Sequence, residues 1–156
     1  MPALRCPVCA GTLERRAGAY VCPNGHSFDI AKSGYVNLLL NSSQGHHGDD
    51  ALMVRARRDF LDKGYYGRFI AAVADAAAEC APPEAVVLDA GCGEGIYSLA
   101  ALRAIERAGK RAGLIGADIS KTALRYASKR SPDFTLCVAS CAHLPVETAS
   151  IDVLLN

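Results

Sequence analysis

Val86-Val87-Leu88-Asp89-Ala90-Gly91-Cys92-Gly93-Glu94-Gly95 is the stretch that decides how this chain folds. Val86 to Leu88 is a short apolar run of the kind that forms a strand buried on both faces. Glycines follow at alternate positions (Gly91, Gly93, Gly95), and a helical pattern then runs from Ile96 to Ala108. A buried strand that turns through glycines into a helix brings bare backbone amides close to a ligand, at the positive end of the helix. By itself such a turn also suits a dinucleotide, whose fingerprint is G-x-G-x-x-G; the spacing here is G-x-G-x-G.

Outward from this turn the pattern repeats. Gly113 to Ala117 reads as a strand, Lys121 to Lys129 as a helix, and Phe134 to Val138 and Ile151 to Leu155 as further strands. Strands alternating with helices predict an α/β fold with a parallel, doubly wound, Rossmann-like sheet. Upstream, ALMVRARRDFLDKG places Ala51, Leu52, Val54, Phe60 and Leu61 on a rough amphipathic face closed by Gly64. A second helix is expected over YGRFIAAVADAAAEC, stopping at Pro82-Pro83. The chain ends at Asn156 directly after an apolar strand, which predicts a fragment whose sheet is truncated after about the fourth strand.

Two acidic residues favour S-adenosylmethionine over a dinucleotide. Asp89 stands two residues before the first glycine, where a carboxylate meets the cationic amino-acid end of the cofactor, directly or through water. Asp118 ends the next strand (GLIGAD), where it accepts hydrogen bonds from both ribose hydroxyls. The bland alternatives are a turn or capping role for Asp89 and a helix cap for Asp118, although Ser120 is the better cap. The third strand ends at Val138-Ala139-Ser140-Cys141-Ala142, where backbone amides and the small Ser140 meet the adenine. Cys92, Cys137 and Cys141 read most simply as small residues filling buried space.

The N-terminal segment has a different grammar. Cys6, Cys9, Cys22 and His26 form C-x2-C-x12-C-x3-H, two ligand pairs on facing turns that suit tetrahedral zinc. Prolines after Cys6 and Cys22 fix the turns, and Gly11 and Gly25 relieve crowding near the sulfurs. A segment this short buries too little apolar surface to fold alone, so a metal is expected to carry it. The alternatives are buried free thiols or a redox pair at Cys6 and Cys9. Four protein ligands close the site, so the zinc is structural. The expected division is a zinc-ribbon-like domain over 1–38, a linker over 39–50 that includes NSSQGHHGDD, and the cofactor domain over 51–156. His46 and His47 in that linker read as solvated rather than as ligands.

Bulk properties add little. The net charge is +1, and residues 1–68 hold nine Lys+Arg against six Asp+Glu, which permits RNA contact without demanding it. Three thiolates on zinc would reduce that excess further. No run is long and apolar enough for a signal peptide or a membrane span, and seven cysteines, an odd number, fit a reducing cytoplasm.

Taken together, CPVC, CPNGHSFDIAKSGYVNLL, GDDALMVRARRDFLDKGYY, VLDAGCGEGIYS, GADISKTAL and CVASCAHLPV resemble the large-subunit ribosomal RNA guanine-N1 methyltransferases with an N-terminal zinc module. The resemblance covers essentially the whole chain. It implies a class I methyltransferase fold, zinc on Cys6, Cys9, Cys22 and His26, and cofactor contacts at Asp89, Gly91, Gly93 and Asp118. It further implies rRNA as partner, a zinc module that helps to engage an rRNA hairpin, and frequent homodimers. No residue stands out as the acceptor of the guanine N1 proton, so none is assigned a catalytic role. The same cofactor strings also suit a methyltransferase acting on another RNA base or a small molecule, and the ribbon suits a non-catalytic RNA-binding fragment.

Overall fold

The computed structural model describes residues 3–40 and 51–156; the NSSQGHHGDD segment, with His46 and His47, lies outside the described residues. In chain order the elements are β1 (Glu14–Arg16), β2 (Ala19–Val21), β3 (Ser27–Asp29), β4 (Tyr35–Asn37), α1 (Ala51–Asp62) and α2 (Gly67–Cys80). They continue with β5 (Glu84–Ala90), α3 (Ile96–Arg107), β6 (Arg111–Asp118), α4 (Lys121–Ala127), β7 (Phe134–Val138) and β8 (Val153–Leu155). The alternation read from the sequence is therefore present.

Strands β1 to β3 form an antiparallel meander, and the other five form a parallel sheet in the order β4-β7-β6-β5-β8. Strand order runs outward from β5 through β6 to β7, then returns to the opposite side of β5 with β8. That reversal is a topological switch point, where open parallel sheets bind ligands at the carboxyl ends of their strands. The edge strand β4 had no counterpart in the sequence reading. Its three residues lie in the segment given to the ribbon, yet Tyr35–Asn37 pair with Leu136–Val138 of β7.

The period of two along each strand divides the core. Val87, Leu114, Leu136 and Val138 face one way and pack with Ala77 and Ala81 at the end of α2, Leu102 and Ile105 of α3, and Leu124 and Ala127 of α4. Leu88, Ile115 and Cys137 face the other way, against Val36, Leu38, Leu4, Leu13, Cys6 and Cys22. The zinc-ligand segment thus takes the place of a helical layer on the second face. Leu4 bridges Val146, the Arg5 amide donates to the Pro145 carbonyl at 2.8 Å, and Arg5 pairs with Glu147, which ties the ribbon to the loop before β8. Of the three cysteines read as small buried residues, Cys92 and Cys137 are buried, but Cys141 is exposed because it lies in the turn beyond β7.

Candidate functional site

The turn after β5 is built as its glycines require. Gly91, Gly93 and Gly95 have φ of 85°, 53° and 76°, a region costly for residues with a Cβ. At Gly95, the N-cap of α3, a Cβ would also come within 3.1 Å of Phe134 and 3.2 Å of Ala127. One more contact holds the loop from behind, and nothing in the local sequence announced it. Arg130 donates through Nη2 to Glu94 Oε2 at 2.6 Å and through Nε to the Glu94 carbonyl at 2.7 Å. Glu94 is 5% exposed, and its second carboxylate oxygen is buried with no hydrogen-bond partner among the described residues.

Asp89 lies on β5 immediately before the loop and is 5% exposed. Ser98 of α3 donates to its Oδ2 at 2.5 Å. Burial pushes the carboxyl up to about 6, opposed by the Ser98 hydrogen bond and reinforced by the nearby charge of Asp118. A buried carboxylate with one hydrogen-bond donor is poised to gain from a cationic group. Asp118, at the end of β6, accepts from the Gly93 amide at 2.8 Å and the Ser120 amide at 2.7 Å. Each oxygen keeps a second lone pair, and the carboxylate is held rigidly beside the loop. The cap of α4 is Ser120, whose side chain accepts from the Ala123 amide at 3.3 Å.

Asp89, Gly91, Gly93 and Glu94 form one wall of a cleft of about 580 Å³ that reaches Leu154 and Leu155 of β8, at the switch point. The same cleft is lined by Arg57, Phe60, Tyr66, Phe69 and Tyr97. Asp118 stands behind the loop, where it accepts from the Gly93 amide, and does not line this cleft. Ser140 is not brought into it: it lines a separate depression with Cys6, Leu38 and His143, and its Oγ accepts from the Ala142 amide at 3.2 Å. The aromatic wall was missed in the sequence because Phe60 and Leu61 read only as a core-facing stripe.

Four soft ligands converge in the ribbon. The ligand atoms of Cys6, Cys9, Cys22 and His26 all lie within 4.8 Å of one another. Cys9 Sγ to Cys22 Sγ is 3.7 Å, and His26 Nδ1 lies 3.6 Å from Cys6 Sγ and 3.3 Å from Cys22 Sγ. Zn–S bonds near 2.3 Å in a tetrahedron demand sulfur separations of roughly 3.7 Å, so the donors fit zinc through Nδ1 of His26. The Gly11 amide is the largest cause lowering Cys9, to about 6, as suits a thiolate ligand, whereas burial raises Cys6. Gly11 is close-packed, since a Cβ there would lie 3.4 Å from Cys9 Sγ. Gly25 relieves no crowding; its φ of 82° and its amide bond to the Cys22 carbonyl at 3.0 Å shape the turn instead.

A parallel sheet with this strand order, a carboxylate-flanked glycine loop at its switch point and a closed Cys3His site define a class I S-adenosylmethionine-dependent methyltransferase fold with an N-terminal zinc ribbon. The comparisons make this specific. A zinc-ribbon family model described as RlmA, N-terminal matches residues 4–41, and one described as Methyltransferase domain matches residues 87–156. "Putative 23S rRNA (guanine-N(1)-)-methyltransferase" of Micromonospora griseorubida is 41% identical over 175 residues, covering 100% of this chain and 58% of the relative. The 23S rRNA (guanine(748)-N(1))-methyltransferase of Streptomyces fradiae is 37% identical over 157 residues, covering 98% of this chain and 54% of the relative. The chain thus joins a segment similar to the RlmA N-terminal zinc ribbon to one similar to a methyltransferase domain, and it spans about half the length of the curated relatives it matches. Among solved structures, "a putative s-adenosyl-l-methionine-dependent methyltransferase" from Methanococcus maripaludis superposes with a TM-score of 0.58 at 13% identity, over 73% of this chain and 52% of that one. That likeness supports the fold alone. No helix among the described residues is long and apolar enough to cross a membrane.

Proposed function

We propose that the protein carrying this chain transfers a methyl group from S-adenosylmethionine to N1 of a guanine in large-subunit ribosomal RNA, in the cytoplasm and as a homodimer. The observation that carries this reading is the pairing of two sites in one chain: a zinc ribbon matched by the RlmA family model, and a carboxylate-flanked glycine loop at the switch point. Relatives whose names specify guanine N1 align with essentially all of the chain.

In this reading Asp89 receives the cofactor's ammonium, the side-chain-free backbone of Gly91 and Gly93 lets its amino-acid end approach closely, and Asp118 accepts from the ribose hydroxyls. The main chain at the end of β7, around Ser140, faces the adenine. The cofactor, when bound, would supply an electrophilic methyl on its sulfonium, so the chain's residues bind and orient. The guanine N1 proton would pass to an acceptor for which we assign no residue. The base must be unstacked or presented from a loop before it can reach the methyl. Arg55, Arg57 and Arg58 of α1 would offer phosphate contacts to such an RNA, the plain alternative being a solvated helix face. The division proposed for function is ribbon (1–38), linker (39–50) and cofactor domain (51–156), with Tyr35–Asn37 serving the sheet.

The test is methyl transfer to ribosomal RNA from a strain lacking the modification, using the protein expressed at the length of its relatives. Primer extension should stop at one guanine, because a methyl on N1 blocks the pairing edge. Transfer to another base, or to a small molecule in place of RNA, would overturn the proposal.

A further inference from the structure

The glycine loop accounts for part of the lining of the 580 Å³ cleft, but the methyl-donor site does not explain the aromatic wall that shares it. There the rings of Phe60, Tyr66, Phe69 and Tyr97 follow one another with centroids 5.5, 6.0 and 6.1 Å apart, at interplanar angles of 68°, 87° and 81°. Edge-to-face packing of this kind holds rings in fixed orientations. These rings nonetheless remain open to solvent: Phe60 is 44% and Phe69 57% exposed. Contiguous exposed aromatics on a soluble surface mark a binding site.

Charge indicates the occupant. Residues 51–70 carry five cations, Arg55, Arg57, Arg58, Lys63 and Arg68, against two acids, Asp59 and Asp62. Arg57 lines the cleft with the rings. Aromatic faces interleaved with cations suit stacked bases and their phosphates. A base resting on this wall would share the cleft with a cofactor held by the glycine loop, which brings the two reactants together.

We propose that the Phe60–Tyr66–Phe69–Tyr97 wall, with Arg57 beside it, is a stacking platform for an unstacked RNA nucleobase, holding it in the same cleft as the methyl donor. The inference rests on the reading of RNA as substrate and names the residues that would present the base. Phe69 is the central ring of its exposed part, between Tyr66 and Tyr97.

The experiment uses the protein at the length of its relatives, loaded with zinc, and an rRNA hairpin transcript. Phe69→Leu keeps apolar bulk but removes the ring, and Phe69→Tyr keeps the ring. Loss of one stacked base should raise the RNA KM of Phe69→Leu roughly five- to hundredfold, with S-adenosylmethionine affinity and thermal stability unchanged. Phe69→Tyr should restore the KM. If wild type methylates the hairpin and Phe69→Leu leaves the RNA KM unchanged, the platform is wrong and the methyltransferase reading stands. If wild type transfers nothing to RNA, both fall. A parallel loss of cofactor affinity or of folding in Phe69→Leu would assign the wall to the cofactor or to packing, and would also overturn the platform.

Discussion

In the ribbon, strands of three residues leave β1 wholly exposed and β2 and β3 without a buried residue; in the sheet, β5 and β6 run seven and eight residues and are mostly buried. The sheet has an apolar core on its helical face and needs no further staple. The ribbon is organised around four ligand atoms, and what apolar surface it has, at Leu4, Leu13, Cys6 and Cys22, is buried against Leu88 and Ile115 of the sheet. The comparison teaches that two regions with different sources of order share one interface. Metal fixes the shape of the ribbon, and that shape then covers a sheet face that would otherwise lie bare.

Metal removal tests this most severely. Structural zinc in small fingers contributes on the order of 10–16 kcal/mol, so Cys22→Ser or exhaustive chelation should release one zinc per chain and unfold β1 to β3. Hydrogen exchange should show that loss first in the ribbon, followed by weakened protection on the ribbon-facing side of the sheet. Elemental analysis without zinc, in protein never exposed to chelator, would break the comparison.

A smaller effect separates the two faces of a single strand. Leu114 and Ile115 are adjacent on β6, are both almost completely buried, and point in opposite directions. Either change to Ala should cost about 2–5 kcal/mol. Only Ile115→Ala should also speed zinc loss to a chelator, because it loosens the ribbon's seat. Equal zinc-release rates in the two variants would show that the ribbon does not depend on the sheet.

The pH prediction is smaller still and has two opposite signs. Burial holds Asp89 near 6, above its ordinary value of 3.8, so the folded chain keeps a proton that the unfolded chain has released. Stability of the cofactor-free protein should therefore fall as pH rises from about 4 through 6, by at most about 3 kcal/mol. Affinity for S-adenosylmethionine should move the other way, weakening about tenfold for each pH unit below 6 as the carboxylate loses its charge. Thermal melts and titrations at pH 5 and 7 check both signs. A pH-independent affinity would separate Asp89 from the ammonium.

Much of the fold was legible because its signals are local. Val86–Leu88 and the glycine turn, Phe134–Val138, and the Cys6-Cys9 and Cys22-His26 pairs each announce themselves within a dozen residues. What was missed depends on distant partners. Tyr35–Asn37 is too short to read as a strand and becomes one only by pairing with β7, about a hundred residues away. The Glu94–Arg130 clamp spans 36 residues. The aromatic wall joins α1, α2 and α3, and a helical stripe carries no mark to distinguish a core face from a ligand wall. Asp118 was placed by its position at a strand end, but its bond to the Gly93 amide depends on how the sheet closes.

The claim on which the rest depends is that the carboxyl ends of β5 and β6 hold S-adenosylmethionine through Asp89 and Asp118. Calorimetric titration of the zinc-loaded protein with S-adenosylmethionine tests it, comparing wild type with Asp118→Ala. Loss of charge-assisted hydrogen bonds to the ribose should weaken binding by about 1.5–3 kcal/mol, with NADH binding neither protein comparably. Equal affinities for wild type and Asp118→Ala, or NADH binding more tightly than S-adenosylmethionine, would contradict the account.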